Sequence, residues 1–211
     1  MIRRISAAVA ALLIAVPLAA QAPDGWQSRV DRSADVTDPD DVPEVTITPA
    51  ANGFEVRTGP AVTLYNPANT ATGQYTLEGR FTLLQPSGHL NYYGLTYGGR
   101  NMEAANQSYI YFLIAQNGSF TIRHRAGNDT VHDIVGRTPH SAIVQPDANG
   151  QSVNTLAVRV GAEGTQFVVN GTVVHTAPGE GMAAATDGIY GVRVNHVIPG
   201  VRVENLRVTG M

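Results

Sequence analysis

The chain has 211 residues, is 43% hydrophobic, carries a formal net charge of −3 and contains no cysteine. Without cysteine there are no disulfides, no thiol nucleophile and no lipoprotein anchor. An acidic balance argues against nucleic acid as a partner.

Arg3 and Arg4 precede an apolar run from Ile5 to Ala20, which ends in the small-x-small triplet Ala20-Gln21-Ala22. This order reads as a secretory signal peptide over residues 1–22, and the run is too short and alanine-rich for a membrane anchor. The expected location is periplasmic or extracellular, with no membrane insertion after cleavage. Removing 22 of the 211 residues leaves 189, enough for one hydrophobic core without cross-links. All basic side chains are arginine, and 12 of the 14 lie beyond residue 22, against 17 acidic residues.

Residues 23–44 are poor in apolar side chains and rich in acids (Asp31, Asp35, Asp38, Asp40, Asp41, Glu44). Such a composition predicts a solvated N-terminal arm. A calcium loop at "DPDD" would need a turn glycine, and none is there. Trp26, the sole tryptophan, is available to pin the arm to the body.

From residue 45 to 211 strand signals follow one another with turn residues between. In "YTLEGRFTLL" Tyr75, Leu77, Phe81 and Leu83 share one side and Thr76, Glu78, Arg80 and Thr82 the other. If Tyr93, Leu95 and Tyr97 face inward, Tyr92 and Thr96 face out, and Gly94 leaves room for a ligand or another backbone. "YIYFLIAQNGSFTIRH" and "NTLAVRVGAEGTQFVVNGTVVHT" read as hairpins with Asn-Gly and Gly-x-x-Gly turns. A three-residue loop ending in a left-handed Gly118 groups Ile110, Phe112 and Ile114 with Phe120 and Ile122. That register sends Tyr109, Tyr111, Thr121, Arg123 and Arg125 to the opposite face. Near the C-terminus "DGIYGVRVNHVIPGVRVENLRVTG" pairs two alternating runs and sets Arg193 and Asn195 opposite Val192 and Val194. No window beyond residue 22 sustains helical spacing. The expectation is an all-β domain, with about a dozen strands in two antiparallel sheets packed as a sandwich or jelly roll.

Signals for catalysis are sparse. There is no Gly-x-Ser-x-Gly elbow and no run of alternating carboxylates on one strand; Glu55, Glu78 and Glu204 are isolated. The histidines at 89, 124, 132, 140, 175 and 196 lack metal-ligand spacing, and no glycine-rich loop opens a helix. No catalytic residue, metal or cofactor is assigned. Clustered tyrosines (Tyr92, Tyr93, Tyr97, Tyr109, Tyr111) fit either a core margin or a surface on which sugars stack.

"YYGLTYGG", "YIYFLIAQNGSFTIRHR", "NTLAVRVGAEGTQFVVNGTVV" and "DGIYGVRVNHVIPGVRVENLRV" together resemble concanavalin A-like sandwiches of the laminin-G and 3-keto-disaccharide hydrolase-like families. The resemblance runs from about Gly53 to Val208. In the hydrolase-like frame, Gly188, Gly191, Val192, Val201, Val203, Asn205 and Leu206 fit. Arg193 and Asn195 stand where glutamine and histidine are usual, and His196 falls one residue late. The resemblance implies a lectin-like sandwich and, in the hydrolase-like family, action on oxidised disaccharides.

The combined reading is a secreted non-catalytic module binding a glycan or oligosaccharide through Tyr92, Tyr111, Arg123, Arg193 and Asn195. Arginine and asparagine offer paired hydrogen bonds while tyrosine offers an apolar platform. The same residues could instead be an ordinary solvated sheet face. A glycoside-processing hydrolase of the 3-keto-disaccharide type and an adhesion module binding a protein are the alternatives.

Overall fold

The computed structural model describes residues 23–31 and 44–210. The signal-peptide reading and "DPDD" lie outside the described residues. Among the described residues, alternation of apolar and polar side chains drives fourteen strands into two seven-stranded antiparallel sheets, with a 3₁₀ turn at Gly181–Ala184. We call them the front and back sheets.

The front sheet contains β1 (Gln27–Asp31), β4 (Ala61–Ala71), β6 (Tyr92–Arg100), β7 (Ser108–Ala115), β8 (Ser119–Ala126), β9 (Val131–Pro139) and β13 (Gly188–Val194). Its order is β1-β4-β13-β6-β7-β8-β9. The back sheet contains β2 (Thr46–Ala50), β3 (Gly53–Arg57), β5 (Tyr75–Gln85), β10 (Ser152–Gly161), β11 (Gly164–Val169), β12 (Thr172–Pro178) and β14 (Gly200–Gly210). Its order is β12-β11-β10-β5-β14-β3-β2.

The period-two expectation holds where it was sharpest. Tyr75, Leu77, Phe81 and Leu83 are buried between the sheets, as are Tyr93, Leu95 and Tyr97. At the β7–β8 hairpin Phe112 lies opposite Ile122 and Ile114 opposite Phe120. Residues 116–118 form the loop, with Gly118 at φ 77°, where a Cβ is disfavoured. One register choice thereby buries like against like and turns Tyr109, Tyr111, Arg123 and Arg125 the other way. Phe112 meets Phe167 of the back sheet edge-on at 5.3 Å, closing the interlayer core. Each such buried aromatic or aliphatic side chain contributes roughly 1.5–3 kcal/mol.

Part of the expected arm is a strand. Residues 27–31 pair with β4, Asp31 opposite Ala61 and Gln27 opposite Tyr65, as the edge strand of the front sheet. Backbone pairing overrides a composition that reads as solvated, and Trp26 anchors the segment by packing edge-on against Phe54 at 5.0 Å. Gly94 also resolves: a Cβ there would sit 2.3 Å from the Phe112 carbonyl oxygen, so the glycine accommodates neighbouring backbone.

The front sheet is strongly curved. Five strand steps separate β1 from β8, about 24 Å in a flat sheet. Yet Arg125 on β8 reaches Asp31 on β1 at 2.6 Å. One arginine and one aspartate span that gap only if the sheet curls with its outer face concave.

Candidate functional site

The concave outer face of the front sheet is built from residues that alternate with the core. On β7 and β8 the outward set is Tyr109 opposite Arg125, Tyr111 opposite Arg123 and Leu113 opposite Thr121. β13 adds Arg193, paired to Thr63 of β4 and Gly94 of β6. Tyr65, Tyr92, Tyr109, Tyr111 and Leu113 form a second apolar cluster, separate from the interlayer core. Curvature closes the face on itself. Tyr109 is 1% exposed, Tyr111 6% and Arg193 7%, so this is no ordinary wet side of a strand.

Arg193 is the hub. Its Nη1 donates to Asp31 Oδ2 at 2.7 Å, Thr63 Oγ1 at 2.9 Å and Tyr109 OH at 3.1 Å. Its Nε donates to Asn195 Oδ1 at 3.1 Å, and its guanidinium lies over the Tyr111 ring, 5.6 Å from the centroid. Burial works against the charge on Arg193, but the Tyr109 phenol and the Asp31 carboxylate outweigh it and hold the proton more firmly than usual. For Tyr111 burial dominates and raises the phenol pKa, with Arg193 and Arg123 pulling in the other direction.

The same oxygen of Asp31 also accepts from Arg125 Nη2 at 2.6 Å, and Arg125 Nη1 donates to the Asn128 carbonyl. Arg29, two residues before Asp31, donates to the carbonyls of Met102 and Ala104 and, at 2.6 Å, to Asn128 Oδ1. These contacts clamp β1 onto the loops after β6 and β8. Beside the clamp opens a polar cleft of about 340 Å³ lined by Arg29, Asp31, Gln107, Arg125, Asn128 and Asp129.

All five residues singled out from sequence lie on this face, in two groups. Arg193 touches both Asn195 and Tyr111. Arg123 stands opposite Tyr111 and pairs with Asp133 at 2.6 Å. Tyr92 sits nearer β9, its hydroxyl 2.8 Å from Ser119 Oγ and its ring under Arg137. Asn195 is just past the end of β13, its backbone N–H donating to the Tyr92 carbonyl. Sequence reasoning missed Asp31, Thr63 and Arg29. The hairpin register had already turned Tyr109 and Arg125 to this side. Nothing in the pattern of the acidic segment marks Asp31 as different from its neighbours.

Among the described residues no group of three or more His, Asp or Glu side chains could hold a metal ion. His124 and His132 stack at 6.0 Å on β8 and β9. His124 Nε2 lies 2.9 Å from Ser108 Oγ. Burial, then His132, lowers the His124 pKa.

No protein-family model and no curated protein sequence matches the chain. Solved structures do. The chain is similar to the carbohydrate-binding module CBM66 from Bacillus subtilis, at 12% identity and TM-score 0.60 over 88% of this chain and 96% of that one. It is also similar to a glycoside hydrolase family 16 endo-glucanase from Bacteroides ovatus, at 7% identity and TM-score 0.57 over 87% and 94%. Alginate lyase A1-II′ follows at 12% identity and TM-score 0.50 over 79% and 78%. At these identities the likeness defines the fold. The chain is a concanavalin A-like jelly-roll sandwich.

Proposed function

We propose that this protein is a secreted, non-catalytic carbohydrate-binding module that takes a glycan or oligosaccharide on the concave face of its front sheet. One observation carries the reading: tyrosine rings and arginine side chains alternate on a sheet face that the interlayer core does not use. Sugars present hydroxyls to guanidinium and amide groups, which is the chemistry Arg123 and Asn195 offer at the margin of the buried contact between Tyr111 and Arg193. Arg123 and Asn195 are partly exposed, and with the polar cleft they form the accessible edge of an otherwise closed network. Likeness of fold to a carbohydrate-binding module supports the reading as analogy.

A hydrolytic reading asks for two carboxylates free to work on one bond. On this face Asp31 is engaged by two guanidinium groups and Asp133 by Arg123. That engagement favours binding over bond cleavage. An adhesive reading would place a protein partner on an exposed apolar patch; the apolar side chains of this face are buried.

The test is binding of the purified protein to a glycan array, with Arg123→Ala as control. Arg123 is partly exposed, so its loss leaves the Arg193 hub standing. Binding of at least one glycan class, weakened in the variant, is expected. An array with no bound glycan overturns the reading, and 3-keto-glycosides releasing free sugar on incubation would replace it with the hydrolytic one.

A further inference from the structure

The charge on this face specifies which glycans it fits, an inference that rests on the glycan-binding reading above. Beyond residue 22 acids outnumber arginines by 17 to 12. The concave face inverts that balance. Arg29, Arg123, Arg125, Arg137 and Arg193 belong to it, against Asp31 and Asp133. Asp129 on the cleft wall adds a third acid, and five arginines against three aspartates leave the face cationic.

Geometry sharpens the point. Two guanidinium groups from different strands, Arg125 Nη2 and Arg193 Nη1, converge on a single carboxylate oxygen at 2.6 and 2.7 Å. Charge-assisted bonds of this length are the ones that hold carboxylates firmly. Asp31 supplies one negative charge against two positive ones, and the Arg29 contacts described above are to neutral oxygens. With Arg29 and the cleft's Asp129 counted as well, three arginines meet two aspartates, so the cluster is built around a carboxylate and keeps one unneutralised positive charge beside the cleft.

We propose that the ligand is an acidic glycan whose units carry carboxylate groups, as uronic acids do. Its carboxylates approach Arg125 and Arg29 through the cleft and Arg123 along the open edge. Asp31 is the chain's own carboxylate in that cluster, and it competes with the ligand for Arg125.

Titration calorimetry with oligouronates and with the same oligomers after carboxyl reduction separates the possibilities. The oligouronate is expected to bind at least ten-fold tighter than its neutral counterpart, with affinity falling as salt rises. Arg123→Gln should weaken the oligouronate several-fold and leave the neutral oligomer unchanged. Asp31→Asn, which removes the competing charge, should tighten it; should that variant not fold, Arg123→Gln decides alone. Equal binding of acidic and reduced oligomers overturns the acidic assignment and leaves the glycan reading intact. Equal binding of a sulfated neutral glycan overturns the carboxylate assignment. Binding of no glycan at all overturns the reading on which both stand.

Discussion

The outer faces of the two sheets use the same chemistry to opposite effect. On the back sheet, arginine and glutamate alternate across strands in one-to-one pairs: Arg80 with Glu204, Arg202 with Glu55 and Arg207 with Glu78. At least one side chain of each pair is 40% exposed or more, so water screens them. On the front sheet two arginines share one aspartate, and the arginine side chains are 8% and 10% exposed. An exposed pair contributes little to stability, whereas a buried charge that loses its partner is costly. The back sheet displays a solvated ladder. The front sheet holds a buried cluster whose curvature, not its composition, keeps water away.

The largest expected effect breaks that contrast at its centre. Asp31→Ala leaves Arg125 and Arg193 facing each other without their shared carboxylate and is expected to cost about 3–5 kcal/mol in urea unfolding. A loss below about 1 kcal/mol would mean the front cluster is as well screened as the back ladder. The turn joining the two sheets comes next. Val197 has φ 50°, a conformation that is costly for a β-branched residue. Val197→Gly should therefore stabilise the protein by about 1 kcal/mol; a destabilised variant would show that packing of the valine side chain outweighs the backbone strain. Arg202→Ala, on the back sheet, should cost less than about 1 kcal/mol and show no cost in 1 M salt, since exposed pairs are screened. A cost that persists in 1 M salt would remove the distinction between the faces.

The smallest expected effect is on pH. His124 and His175 both have folded pKa values below 6.5, each through burial, and His124 also through His132. Below pH 6.5 the unfolded chain binds more protons than the folded one. Stability is therefore complete above that pH and declines as pH falls from 6.5 through the folded values. His132→Gln removes one cause of the shift and should flatten the decline in a thermal-unfolding series from pH 7.5 to 5. An unchanged profile would place the dependence elsewhere.

Much of this molecule is written in its strands. A period of two, Asn-Gly turns and the choice of a three-residue loop at 116–118 were enough to sort Phe112 from Tyr111 and Val192 from Arg193. The physical reason is local: adjacent side chains on a strand point to opposite faces, and burial of like with like permits one register. Those same rules turn Tyr109 and Arg125 toward the concave face without stating what they meet there.

What they meet was decided by the tertiary structure. Asp31 lies 94 residues from Arg125 and 162 from Arg193, in a segment whose composition reads as solvated. It enters the cluster because β1 pairs along the edge of β4 and the front sheet curls until Arg125 of β8 reaches β1. Sheet curvature is a sum of small twists over seven strands, and no single stretch of residues encodes it. Sequence therefore determined which side chains face outward, and the curl of the sheet determined that outward here means into a shared, charged enclosure.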